Sequence, residues 1–219
     1  MDVFDIIGPV MIGPSSSHTA GAARIGRVAR GLLGEAPVSA RIGLCGSFAA
    51  TGSGHGTDRA IVAGLLDMAV DDPRLRDSFQ IAQAQGLAFT FYTAQLRDAH
   101  PNTALIEASG STRSVKLRAA SVGGGSIRVE AIDDLAVSFS GESHTLVLPH
   151  RDKPGIIAQV TRLLAEPAIN IGTMQVSREQ AGGEAVMVLE VDALPDAELV
   201  EKLSRLKDVE RVALIRRIE

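Results

Sequence analysis

The sequence predicts an α+β protein in two parts, and three observations carry that reading. Two short polar stretches near the start, Gly13–Thr19 and Gly52–Asp58, each run into a helical pattern. From Leu87 to Phe139 the texture turns to alternating, strand-like runs. After Gly141-Glu142-Ser143 the pattern resets to strand, helix, strand, strand, helix, strand. The expected division is therefore an N-terminal domain over 1–142 and a C-terminal module over 143–219.

Residues 2–7 form a short apolar lead-in. A helix is expected from about Thr19 to Leu33, because Ile25, Val28, Ala29 and Leu32 recur at i, i+3, i+4 and i+7. Arg24, Arg27 and Arg30 lie off that face, Gly34 ends the helix, and Pro37 follows as a stop. Val38, Ala40, Ile42 and Leu44 alternate with polar or small residues, which is a strand. The segment from Asp58 to about Val70 is apolar nearly all round, so a buried helix is expected there. Its N-terminus, with His55 just ahead of it, would then open into a cleft. A weakly patterned helix follows over 77–86.

Phe89 to Tyr92, Thr103 to Ala108, Val115 to Val122, Ile127 to Ile132 and Ala136 to Phe139 read as strands, with Gly123-Gly124-Gly125 as one turn. In the C-terminal module, strands are expected at 144–148, 171–178, 184–191 and 211–218, and helices at 155–165 and 196–206. The order βαββαβ implies an antiparallel sheet with both helices on one face, a ferredoxin-like layout.

Bulk chemistry narrows the function. The length of 219 residues suits two modest domains, and aromatics make up only 3%, so the cores must be aliphatic. A net charge of −4, with both signs mixed along the chain, argues against a nucleic-acid partner. No apolar run approaches a membrane span and the N-terminus lacks a signal-peptide pattern, so a cytoplasmic protein is expected. The single cysteine, Cys45, excludes an internal disulfide and an iron–sulfur cluster held by this chain alone.

The two polar stretches carry the chemistry. Read as loops at helix N-termini, they offer backbone N–H groups, small hydroxyls and one imidazole each to an anion, and favour a neutral imidazole. Ser15, Ser16, Ser17, His18 and Thr19 form the first; Gly54, His55, Thr57 and Asp58 are the candidates in the second. His55 is a candidate base, the competing reading being a turn histidine held by backbone hydrogen bonds. A plain helix cap competes with anion binding in the first stretch. A Ser17–His18 nucleophile pair lacks an orienting acid. His100 beside Pro101 is a loop histidine. His150-Arg151-Asp152-Lys153-Pro154-Gly155 is a strand-to-helix turn that either meets a ligand or is solvated.

At these residues the chain resembles a known family. Gly13-Pro14-Ser15-Ser16-Ser17-His18-Thr19, Gly54-His55-Gly56-Thr57-Asp58, His100-Pro101-Asn102-Thr103, Val122-Gly123-Gly124-Gly125 and Phe139-Ser140-Gly141 are similar to the β chain of the two-subunit, iron–sulfur-dependent L-serine dehydratase. The C-terminal part resembles an ACT domain, joined through a His-x-Asp-Lys-Pro-Gly turn, and the N-terminal part resembles the allosteric-substrate-binding domain of some D-3-phosphoglycerate dehydrogenases.

The resemblance implies conversion of L-serine to pyruvate and ammonia, with a 4Fe-4S cluster bound by a separate α subunit acting as Lewis acid. This chain would lend active-site loops to that subunit. His55 becomes the candidate base or the group that closes the site. Ser15, Ser16, Ser17 and Thr19, with Gly54, Thr57 and Asp58, become candidates for holding substrate; His18, lining the same cleft, and His100, completing the wall, are the other catalytic candidates. In the ACT part, His150, Asp152 and Asn170 match positions that hold an amino acid across a dimer interface in serine sensors, which usually carry Asn where Asp152 stands. Dimerisation through sheet edges is the second role implied for that part. A purely regulatory amino-acid-binding protein is the alternative to a catalytic subunit.

Overall fold

The computed structural model describes residues 10–218. The apolar lead-in at 2–7 lies outside the described residues. The chain forms two compact units that divide after Asp134. The strand Leu135–Phe139 follows that division.

In the first unit a π-helical turn, Ser16–Ala20, runs directly into α1 (Gly21–Leu33). Then come β1 (Ser39–Leu44), α2 (Gly46–His55), α3 (Thr57–Leu65), a 3-10 turn (Pro73–Asp77), α4 (Ser78–Ala84), β2 (Ala88–Thr93), β3 (Thr103–Ser109), β4 (Ser114–Gly123) and β5 (Ser126–Ile132). Within this unit the strand order is β2-β1-β3-β4-β5. The β1–β2 pair is parallel, which the long helical connection between them permits, and the others are antiparallel.

The expected loop over Gly52–Asp58 is not a loop. Gly46 to His55 is helical, Gly56 turns the chain at φ 71, and α3 starts at once with Thr57. His55 is thus the last residue of α2, not a residue ahead of a single helix. α3 also ends at Leu65, short of Val70, because Asp67 adopts a left-handed turn at φ 61.

The buried, all-apolar character expected of α3 holds. It lies against α1 at glycine-to-backbone distance: a Cβ on Gly26 would come within 2.3 Å of the Ile61 carbonyl, and one on Gly64 within 2.1 Å of the Ala23 carbonyl. Ile25, Leu32, Ile61 and Leu65 are fully buried around that contact. Each such side chain contributes about 1.5–3 kcal/mol relative to exposure.

The second unit contains β6 (Leu135–Phe139), β7 (His144–Arg151), α5 (Ile156–Ala165), β8 (Ile171–Arg178), β9 (Glu184–Val191), α6 (Ala197–Ser204) and β10 (Ala213–Ile215). Its four-stranded antiparallel sheet has the order β10-β7-β9-β8, the ferredoxin-like order that the sequence predicts. Leu146 and Leu148 of β7, and Met187 and Leu189 of β9, share one core with Val160 and Leu164 of α5 and Leu199 and Leu203 of α6. Both helices therefore cover one face. The Asp196 carboxylate accepts from Leu199 N–H at 2.7 Å and caps α6. Among the described residues no helix is long and apolar enough to cross a membrane.

Candidate active site

The first polar stretch is shaped by close approach and a cap. Gly13 sits at φ 138, and a Cβ there would come within 2.5 Å of the Thr19 side chain. Ser15 is extended, and its hydroxyl accepts from His18 N–H at 3.2 Å. This is the helix cap that competes with anion binding in the sequence. The π turn that follows adds a residue to the helical winding, a feature concentrated at functional sites.

The second stretch is α2. Three glycines in ten residues give poor helix propensity. Burial compensates: Phe48 is fully buried, and Gly52 lies against Thr57 and Leu44. Once helical, Ser47, Thr51 and His55 stand at i, i+4 and i+8, a single stripe.

That stripe faces His18. Ser17 Oγ lies 3.1 Å and Ser15 Oγ 3.4 Å from His18 Nδ1. Ser47 Oγ lies 3.1 Å and Thr51 Oγ1 3.2 Å from Nε2. The His18 and His55 rings are 5.0 Å apart between centroids, and Phe48 meets His18 edge-on at 5.3 Å. Burial first, and then the charge on His55, lower the His18 pKa below 6.5, against a smaller opposing hydrogen bond to the Ser47 carbonyl. His18 is therefore neutral near pH 7.

His55 Nδ1 lies 3.0 Å from the Thr51 carbonyl. A carbonyl only accepts, so in the neutral ring Nδ1 carries the hydrogen and Nε2 keeps the lone pair. The ring is half-buried, and the hydrogen bonds of the described residues leave Nε2 open. His18 has hydroxyls at both nitrogens; His55 has an available acceptor.

The other expected residues are placed differently. Ser16 opens the π turn, where its carbonyl accepts from Gly21 N–H. Thr19 is buried and its hydroxyl donates to the His55 carbonyl at 3.1 Å, tying the two turns together. Thr57 is fully buried under Gly52, its hydroxyl without a partner among the described residues. Asp58 accepts from Arg59 N–H at 2.8 Å, and Gly54 faces open space.

His100 stands outside the His18 network. Its Nδ1 accepts from Asn102 N–H at 3.1 Å, which places the hydrogen of the neutral ring on Nε2. It lines a cleft of about 560 Å³ with Cys45, Gly46, Arg97 and Pro101. This cleft adjoins the start of α2, where Phe48 N–H donates to the Pro101 carbonyl at 3.3 Å. Ser47, Phe48 and Thr51 are the site-lining residues that the sequence reading misses. The spacing of Ser47, Thr51 and His55 holds the signal, once the segment is read as helix.

In the second unit each of the three expected effector residues has an internal partner. Asp152 accepts from Arg178 Nη1 at 2.6 Å and from Gly182 N–H at 3.0 Å. The Gly182 bond first, then Arg178, hold its carboxyl below the usual carboxylate range. Asn170 Nδ2 donates to Asp192 at 2.7 Å. His150 is buried, with Nδ1 3.0 Å from the Leu148 carbonyl.

Comparison with known proteins gives a consistent picture. Residues 2–85 match the family described as serine dehydratase beta chain, and residues 144–208 match the ACT domain. The chain is 46% identical over 213 residues to a probable L-serine dehydratase β chain of Bacillus subtilis, covering 97% of each chain. It is 37% identical over 191 residues to the L-serine dehydratase β chain of Peptoniphilus asaccharolyticus, covering 86% of each. It is also 27% identical over 158 residues to a D-3-phosphoglycerate dehydrogenase of B. subtilis, covering 72% of this chain and 30% of that one.

Proposed function

The chain belongs to the family of L-serine dehydratase β chains, and we propose that its paired histidine turns complete an active site that deaminates L-serine to pyruvate and ammonia. The observation that carries this reading is the open Nε2 lone pair of His55, held in place by the Nδ1 bond to the Thr51 carbonyl. In the reaction His55 Nε2 takes the Cα proton. The Cα–H electron pair becomes the Cα–Cβ double bond, and the β-hydroxyl leaves with the electrons of its C–O bond. The resulting enamine tautomerises and is hydrolysed to pyruvate and ammonia. A positioned base of this kind supplies about 10²–10⁴-fold in rate.

The Ser16 hydroxyl and the Ser16 and Ser17 N–H groups that open the π turn hold the substrate carboxylate. His18 stays neutral among its hydroxyls and adds no cation to compete with proton abstraction. His100, with its hydrogen on Nε2, serves the wall of the site as a donor.

A four-iron cluster does not fit this chain. Cys45 is its one cysteine and is buried, and among the described residues no cluster of histidine, cysteine and carboxylates could hold a metal ion. The cluster is assigned to an α subunit, and the chain alone is expected to be inactive. Pairing of two copies is assigned to the sheet edge of the ACT unit, where the outer strand β8 exposes Met174 and Val176.

The test is anaerobic pyruvate formation from L-serine by the chain alone, by the chain with its α partner, and by that partner with the His55→Ala chain. Activity confined to the wild-type pair supports a shared site. Full activity from the α partner alone would leave this chain a regulatory role and remove the catalytic assignment.

A further inference from the structure

We infer that Thr51 is a positioning residue for both histidines: its hydroxyl fixes the proton on His18 and its carbonyl fixes the proton on His55. The inference rests on the proposed reading of the histidine turns as part of the active site.

The argument counts hydrogens. Thr51 Oγ1 has one hydrogen, and it is given to the Ser47 carbonyl at 2.9 Å. Toward His18 Nε2, at 3.2 Å, the same oxygen can then only accept. His18 Nε2 must therefore carry a hydrogen, since a bare lone pair there would face the lone pairs of Thr51 Oγ1. Ser47 Oγ, at 3.1 Å from Nε2, accepts the same hydrogen.

The other side of the ring agrees. Ser15 Oγ is already an acceptor from His18 N–H, so its own hydrogen is free to reach Ser17 Oγ at 3.3 Å. Ser17 Oγ in turn donates to His18 Nδ1 at 3.1 Å. The chain of donors runs Ser15, Ser17, His18 and Thr51 and ends on the Ser47 carbonyl, which only accepts.

The carbonyl of Thr51 makes the opposite choice at the next ring, where it takes the Nδ1 hydrogen of His55 at 3.0 Å. One residue thus holds His18 as the Nε2–H tautomer and His55 as the Nδ1–H tautomer. Only the second leaves its Nε2 open as a base. A side chain at 51 without a hydroxyl removes its constraint on the His18 proton, leaving at Nε2 the Ser47 hydroxyl, which can donate or accept, while the carbonyl to His55 remains.

The test uses Thr51→Val, which keeps the shape, and Thr51→Ser, which restores the hydroxyl. Imidazole ¹⁵N NMR of the full chain reads the tautomers without needing turnover. Expected is Nε2–H at His18 and Nδ1–H at His55 in the wild type and in Thr51→Ser, with His18 becoming a mixture of tautomers in Thr51→Val. An Nδ1–H tautomer at His18 in the wild type, or an unchanged His18 in a folded Thr51→Val chain, would overturn the inference. In the assembled complex, Thr51→Val is expected to lower kcat about 10- to 100-fold with KM little changed, and Thr51→Ser to recover it. If Thr51→Val scrambles the His18 tautomer yet turns over at the wild-type rate, the positioning stands and the catalytic reading of His18 fails.

Discussion

The two units each gather histidine and small polar groups, but they use them in opposite ways. In the first unit Ser15, Ser17, Ser47 and Thr51 converge on His18, and the neighbouring His55 keeps one ring nitrogen open. In the ACT unit Asp152 is engaged by Arg178 and Gly182 and Asn170 by Asp192, while His150 is buried with Nδ1 at the Leu148 carbonyl and Nε2 without a partner among the described residues. The lesson is that residue type does not make a site. A polar group is ready for a ligand when its geometry is fixed by some atoms while another is left unspent within reach of solvent, as in half-buried His55 and not in fully buried His150.

The largest effect should separate the two units directly. His55→Gln in the assembled enzyme is expected to lower kcat about 10²–10⁴-fold, whereas Asp152→Asn leaves kcat near wild type. Anaerobic pyruvate assays on both variants check this, and equal losses would break the comparison.

Next in size is the response to ligand. Because Asp152 already accepts two internal bonds, millimolar L-serine is expected to leave the amide signals of Asp152 and Gly182 unshifted in the isolated chain. Specific, saturable shifts there would make the ACT unit a serine sensor after all. Acid is expected to release the same contact. The depressed Asp152 pKa gives stability that is present above the ordinary carboxylate value of 3.8 and lost as pH falls through the folded one.

How much of this contrast is legible in the sequence depends on burial. Leu146–Leu148 and Ala185–Leu189 are short continuous apolar runs set between turn residues and two amphipathic helical patterns, so the ferredoxin-like unit can be read from run length, period and breakers. In α2 the local signal points the wrong way. Gly46, Gly52 and Gly54 read as loop, and the helix exists because Phe48 is buried and Gly52 fits against Thr57, contacts that no local pattern contains. Missing that helix hides Ser47 and Thr51, while the histidines stand out by type. The engagement of Asp152 is equally hidden, since Arg178 and Gly182 lie far along the chain.

Smaller effects sharpen the picture of the first unit. The His18 titration midpoint, followed by NMR, is expected below 6.5 and to rise part of the way in His55→Gln. That variant removes the electrostatic influence of the His55 ring but leaves burial, the larger cause. The sign for stability follows: the unfolded chain binds a proton at His18 more readily, so this group makes folding less favourable as pH falls below 6.5. A midpoint at or above 6.5 would contradict the tight hydroxyl cage.

The smallest effect concerns Glu35, an exposed carboxylate that gathers the turn between β3 and β4. It accepts from Thr112 N–H and Arg113 N–H, both at 2.9 Å, and from the hydroxyls of Ser111 at 2.8 Å and Thr112 at 3.0 Å. The Thr112 N–H first, then the Ser111 hydroxyl, hold its pKa at about 2. Its contribution is present above 4.5 and fades as pH falls toward about 2, so Glu35→Gln is expected to flatten the acid limb of thermal stability slightly. An identical acid limb in the variant would show that the latch carries no weight.

The central claim is that His55 takes the Cα proton, and the most direct measurement follows that proton. L-Serine deuterated at Cα is given anaerobically to the complex containing wild-type chain and to the complex containing His55→Gln, at matched assembly. The account predicts release of the deuterium and formation of pyruvate at one common rate in the wild type, with both falling together by at least about 100-fold in the variant. A His55→Gln complex that releases deuterium at the wild-type rate would contradict it and move the base to another residue.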